Sequence, residues 1–174
     1  MENINIKKYF LVFILVNILL VIFWLNTKHL VGNDSSISEW LINYKGGFTR
    51  RGLGGEFGIA LANFLNITLR RSIFLIQTII HTSYLVLIYF YFKELKFNII
   101  QLFALYAPMF LLYPLAELEV LGRKEIILFL FFLTTIFFST KKYDAKIINN
   151  IIFFISPIVC LIWEQVVLFL PFFA

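Results

Sequence analysis

The stretch Tyr9–Leu25, YFLVFILVNILLVIFWL, carries no charge and a single amide side chain, Asn17. A helix needs roughly 20 mainly apolar residues to cross the hydrocarbon of a bilayer, and this run with its flanks is long enough. Lys7 and Lys8 precede it, as they would a signal peptide. Its far end, however, carries Trp24, Asn26 and Lys28 where a signal peptide has a small-residue cleavage site, so the segment reads as a retained membrane helix. The rest of the chain agrees: 61% of residues are hydrophobic, 14% are charged, and 22 are Phe. A soluble domain is about half apolar and a quarter charged, and could not cover this much apolar surface.

Outward from that helix, the apolar runs predict an all-α, polytopic transmembrane helix bundle with about five spans. The second span is Ser72–Phe92, the third Phe97–Ala116 and the fourth Ile126–Thr140. The fourth is short; it either borrows residues from Glu117–Glu125 or sits tilted in a thin region. The fifth starts near Ile147 and runs to Ala174. The sequence reads as one membrane domain, residues 1–174. Its last apolar run, Val166–Ala174, has no polar flank, which leads us to expect the N-terminal part of a longer protein.

Between the first two spans lies the long polar stretch Asn26–Arg71, whose later part, Gly54–Leu69, is expected as a helix at the membrane interface. The net charge of +5 is spread in short clusters between apolar runs, which points to topology and anionic head groups and not to nucleic acid. With the N-terminus in the cytoplasm, Lys7, Lys8, Lys93, Lys96, Lys141, Lys142 and Lys146 all fall inside. The long loop, the Glu117–Glu125 loop and all five arginines then fall outside. Arginine is the better bidentate partner for phosphate, so an outer arginine cluster points to a phosphate-bearing ligand. The composition suggests a bacterial plasma membrane.

The candidate site centres on Asp34–Glu56, DSSISEWLINYKGGFTRRGLGGEF. Its glycines permit tight turns whose N–H groups bind anions, and Arg50 and Arg51 add fixed positive charge. Trp40, Tyr44 and Phe48 recur every four residues, as on one face of an interfacial helix. Asp34 or Glu39 is placed to act as a general base; Asp34, Ser35 or Ser36 is equally placed to cap a helix through Trp40. The second cluster is Glu117, Glu119, Gly122, Arg123, Lys124 and Glu125, in which Glu119 and Arg123 have helical ion-pair spacing. Candidate substrate- and phosphate-binding residues are Tyr44, Arg50, Arg51, Glu56, Arg123 and Lys124.

Two polar residues fall within spans. His81, with Gln77 one turn earlier, suits interhelical hydrogen bonding. Glu164 needs either a partner from another helix, including one beyond Ala174, or an arginine at the outer surface. No grouping of His, Cys, Asp and Glu has metal-ligand spacing, so no metal and no cofactor is expected. Cys160 lies in an apolar run and reads as packing. No P-loop, dinucleotide fingerprint or nucleophile elbow occurs.

A helix, a long acidic outer loop and further spans together resemble the N-terminal part of multi-pass GT-C-type glycosyltransferases. NYKGGFTRRGLGG at Asn43–Gly55 and GRKE at Gly122–Glu125 are similar to motifs in bacterial membrane proteins of surface-polysaccharide loci. The resemblance implies a transferase with a polyprenyl-phosphate-linked sugar as donor, membrane lipid around it, and a catalytic carboxylate in the first outer loop, at Asp34 or Glu39. The paired acidic motif of that family is absent, since Ser35 follows Asp34. The rival expectations are a transporter or flippase component for a lipid-linked glycan, with His81 and Glu164 lining a path, or a structural subunit without a site.

Overall fold

The structure is a computed structural model that describes residues 2–31, 35–93, 117, 119–141 and 143–173, with the backbone alone at 2–6 and 173. Asp34 and the expected third span, Phe97–Ala116, lie outside the described residues. Every regular element among the described residues is a helix. Its helices are α1 (Glu2–Val31), α2 (Ser35–Trp40), α3 (Leu53–Leu65), α4 (Leu69–Phe92), α5 (Glu125–Thr140) and α6 (Ala145–Ile162), followed by a 3-10 segment, Glu164–Phe173.

Three of these helices are long and apolar enough to cross a membrane: Lys7–Val31 within α1, α4 and α6. Two more, α3 and α5, are apolar but shorter. The first span is thus longer than its apolar core suggests: α1 has 30 residues and runs through Lys28 and His29 before it stops. Phe10, Ile14, Val21 and Leu25 form its buried stripe, while Tyr9, Val12, Leu15, Val16, Leu19 and Phe23 point outward. Apolar residues on both faces suit a helix that meets neighbours on one side and lipid on the other.

On α4 the buried stripe changes character along its length. Ser72, Gln77 and His81 are buried near its start, and Tyr84, Leu85 and Ile88 near its end. The helix begins at Thr68, whose side-chain oxygen accepts from the N–H of Arg71 at 3.4 Å. It runs antiparallel to α1, since His29 meets Gln77 at one level and the Phe10 ring stacks 6.1 Å from Tyr89 at another. It runs parallel to α5, since Gln77 meets Gly122 and Tyr84 meets Phe129. α6 then returns, capped at its start by Asp144, whose carboxylate accepts from the N–H of Lys146 at 3.1 Å.

This alternation sorts the charges between the two ends of the bundle. Lys7, Lys8, Lys93, Lys141 and Lys146 share one end; all five arginines share the other with Lys28, Lys45 and Lys124.

Three expectations need correction. The expected fifth span is not one helix: α6 stops at Ile162, Trp163 is extended (φ −146°, ψ 102°), and a 3-10 segment comes next. The break keeps Trp163 buried and turns Glu164 toward Arg51, while Pro171 removes a backbone donor farther on. Trp40, Tyr44 and Phe48 do not share a helical face, because α2 ends at Trp40 and gives way to turns. Trp40 points into the core, whereas Phe48 is exposed and stacks on Tyr44 at 5.6 Å. Glu119 and Arg123 are not one helical turn apart, since residues 119–122 form turns and α5 starts only at Glu125.

Candidate functional site

The arginine end of the bundle is assembled around two successive carbonyls, those of Leu121 and Gly122. Gly122 has φ +91°, a conformation that L side chains avoid and glycine adopts freely. The turn aims both carbonyls at the other helices. Gly122 O accepts from Trp40 Nε1 at 2.7 Å and from Gln77 Nε2 at 2.9 Å. Leu121 O accepts from Lys28 Nζ at 2.7 Å, and the same ammonium lies 3.2 Å from Ser36 Oγ. Each carbonyl has two lone pairs and is buried, so these donors satisfy groups that would otherwise destabilise the fold.

Behind this turn a buried amide connects two histidines. With Gln77 Nε2 committed to Gly122, its Oε1 can only accept, so His29 Nε2 donates to it at 2.7 Å. His81 Nδ1 likewise donates to the backbone carbonyl of Gln77 at 2.8 Å. The interhelical bonding expected of the His81–Gln77 pair is therefore made by Gln77, while His81 bonds its own helix.

Lys124 joins the second loop to the first. It is fully buried, its Nζ donates to the Arg51 carbonyl at 3.1 Å, and it lies 5.8 Å from the centre of the Trp40 ring. Burial pulls its ammonium down to a pKa of about 8, with Glu39 acting in the opposite direction and Arg51 adding to the lowering. The Arg51 guanidinium in turn holds Glu164, with Nη2 at 2.8 Å and Nε at 3.3 Å from the same oxygen, Oε1. Arg50 lies 3.9 Å from Oε2. The hydrogen bond from Arg51 keeps the Glu164 carboxyl below the usual carboxylate range. The pairing raises the pKa of Arg51, with charge from Glu39 and Glu125 adding to it. The partner sought for Glu164 is thus an arginine of the first loop.

The other candidates take distinct places. Glu39 is half-buried on α2 and is felt electrostatically by both Arg51 and Lys124. Glu56 Oε1 accepts from the N–H of Tyr44 at 2.7 Å, which closes the glycine-rich loop on itself. Arg123 is exposed, and the contact from its loop to Arg51 is made by its neighbour Lys124. His81 is buried deeper in the bundle, away from the charged group. Sequence reasoning passed over Lys28 and His29 as the flank of the first span. Their position in the last turn of α1, next to a polar loop, was the available signal.

Beneath the charged group lies an apolar cleft of about 340 Å³ between α3, α4, α5 and α6. Trp40, Gly54, Phe57 and Leu61 line one side, and Ile76, Ile80, Ile127 and Ile162 the other. Gly54 marks where cleft and cations meet: a methyl group placed there would lie 3.4 Å from Ile162 and 3.9 Å from Lys124 Nζ. Among the described residues no group of His, Cys, Asp and Glu is arranged to hold a metal ion. No family model matches this chain, and no curated protein or solved structure is detectably similar to it.

Proposed function

We propose that this protein acts in the assembly of a bacterial surface polysaccharide or glycolipid, as a plasma-membrane transferase that uses a lipid-linked sugar. The observation that carries the reading is the junction at Gly54, where an apolar cleft adjoins buried Lys124, whose ammonium is bonded to the carbonyl of Arg51. That junction suits an amphiphile with an anionic head and a hydrocarbon tail. Arg50 and Arg51 would receive the phosphate, with Lys124 holding the Arg51 backbone beneath them, and the cleft would receive part of the chain.

In this reading Glu39 or Asp34 takes the proton of the acceptor hydroxyl. The acceptor oxygen then attacks the sugar carbon that bears the phosphate, and the lipid phosphate departs with the bonding electrons. The developing negative charge falls to the arginines, which are already oriented. Transfer is favoured over transport because the arginines and Glu164 meet at one end of the bundle among the described residues.

Deletion of the gene in its native host tests this. Accumulation of lipid-linked sugar on the outer leaflet, with loss of the surface glycan, is the expected result. Accumulation on the inner leaflet would assign the protein to flipping, and an unchanged glycan would remove it from the process.

A further inference from the structure

We propose that Glu164 is an internal competitor for the phosphate seat: its carboxylate occupies the Arg51 guanidinium until the phosphate of a phosphate-bearing ligand displaces it. This rests on the reading of Arg50 and Arg51 as the phosphate-binding group.

The geometry is that of an exchangeable contact. The Nε and Nη2 edge of Arg51 is the fork that takes a carboxylate or a phosphate with two oxygens. Here both donors converge on Oε1 alone, at 3.3 and 2.8 Å, while Oε2 reaches Arg50 only at 3.9 Å. The second oxygen position of the fork is thus left unused. Both side chains are about a third exposed, so water can compete for the pair.

Arg51 does not depend on Glu164 for its place, because Lys124 holds its carbonyl from the buried side. Glu164 likewise is anchored by its neighbour, buried Trp163, so its side chain can leave without moving the bundle. A lipid phosphate bearing a sugar is a diester whose two free oxygens fill both positions of the fork, where Glu164 fills one; the monoester left after transfer brings three oxygens and close to two negative charges.

The affinity of such a seat is reduced by the fraction of time that Glu164 fills it. For a partly exposed pair this is about threefold to fivefold. The experiment is equilibrium binding by tryptophan fluorescence on the full chain in neutral detergent, with farnesyl phosphate, farnesol and inorganic phosphate as probes. Farnesyl phosphate should bind the wild type, and Glu164→Gln should bind it about threefold to fivefold more tightly. Arg51→Lys should bind it more weakly, and in that background Glu164→Gln should add almost nothing. A gain that persists in the Arg51→Lys background would show a general charge effect and overturn the proposal. So would unchanged or weaker binding by Glu164→Gln while the wild type binds. Absence of farnesyl phosphate binding in every variant would overturn the phosphate reading itself, and the competition with it. Equal binding of inorganic phosphate, with the same gain on Glu164→Gln, would uphold the competition and assign the seat to free phosphate. Binding of farnesol as strong as that of farnesyl phosphate would overturn both.

Discussion

Lys124 Nζ lies 3.1 Å from the carbonyl oxygen of Arg51, a contact between residues 73 positions apart. One ammonium, with no exposed surface, ties the turn before α5 to the loop that carries both arginines of the candidate site. A buried charge is costly unless it is paired or hydrogen-bonded, so this lysine couples the stability of the end of the bundle to the position of Arg51.

That coupling has a pH signature. The folded state holds the pKa of Lys124 at about 8, against 10.5 for the unconstrained side chain. Between those values the unfolded chain binds the proton and the folded chain has released it, so the contribution of Lys124 to stability rises with pH. Below about pH 8 both states are protonated and the cost of burying the charge is felt in full. The difference in unfolding free energy between wild type and Lys124→Met, measured from about pH 7 to 10.5, should shift in favour of the wild type as pH rises above 8. A difference that stays flat across this range would show that the lysine is solvated.

Trp40 and Gln77 share one acceptor, and their substitutions should not add. Trp40→Phe keeps most of the ring but removes the donor to Gly122 O, at a cost of about 1 kcal/mol. Gln77→Leu removes the second donor and also the acceptor used by His29, at about 1–3 kcal/mol. Either single variant leaves the Gly122 carbonyl with one donor; the double variant leaves it with none. Its loss in chemical or thermal unfolding should exceed the sum of the singles by about 0.5 kcal/mol or more. Strict additivity would mean that water replaces the missing donors.

The glycines of the first loop should divide sharply. At Gly55 a methyl group would overlap the backbone oxygen of Ile42, which cannot rotate away. At Gly46 nothing lies within 4 Å. Gly55→Ala should therefore destabilise by about 1–3 kcal/mol, while Gly46→Ala stays within about 0.5 kcal/mol of wild type. Thermal denaturation of the two variants in the same detergent measures the contrast.

The all-helical fold was legible because lipid-facing helices need long apolar runs, and Tyr9–Leu25 and Ser72–Phe92 are such runs. The break at Trp163 was not, because the polar pair beside it, Glu164 and Gln165, reads equally well as a polar patch within one continuous span. Pro157 is no guide, since it sits inside α6 while the helix continues to Ile162. The charged group was legible as polar islands in an apolar chain, which is how Arg51, Lys124 and Glu164 were singled out. An outer-surface arginine was one expected partner for Glu164, but which arginine it was could not be read, because hydropathy carries no information about which islands meet. Trp40 misled for a related reason: four-residue spacing from Tyr44 and Phe48 implies a shared face only if the helix continues, and α2 ends at Trp40.

The bundle should also lie one way round in the membrane. Its helices place Lys7, Lys8, Lys93, Lys141 and Lys146 at one end and every arginine, with Lys28, Lys45 and Lys124, at the other. Lysines and arginines both favour the cytoplasmic side, so the two ends make opposing claims. The arginine end, however, is partly neutralised where it is built: Arg51 and Arg50 face Glu164, and Glu39 and Glu125 act on Arg51 as well. The lysine end has only Asp144 among its described acids beyond Glu2, and that carboxylate caps α6. We expect the lysine end to face the cytoplasm, with the candidate site outside, because at the arginine end Lys28 and Lys124 are tied to carbonyls and Arg50 and Arg51 to Glu164. Thr49 and Thr140 are both exposed and lie at opposite ends, so each can be replaced by cysteine in a Cys160→Ser background. A membrane-impermeant maleimide applied to intact cells should label Thr49→Cys and leave Thr140→Cys unmodified until the membrane is opened. The reverse pattern would place the arginines in the cytoplasm and exclude an outer-face reaction.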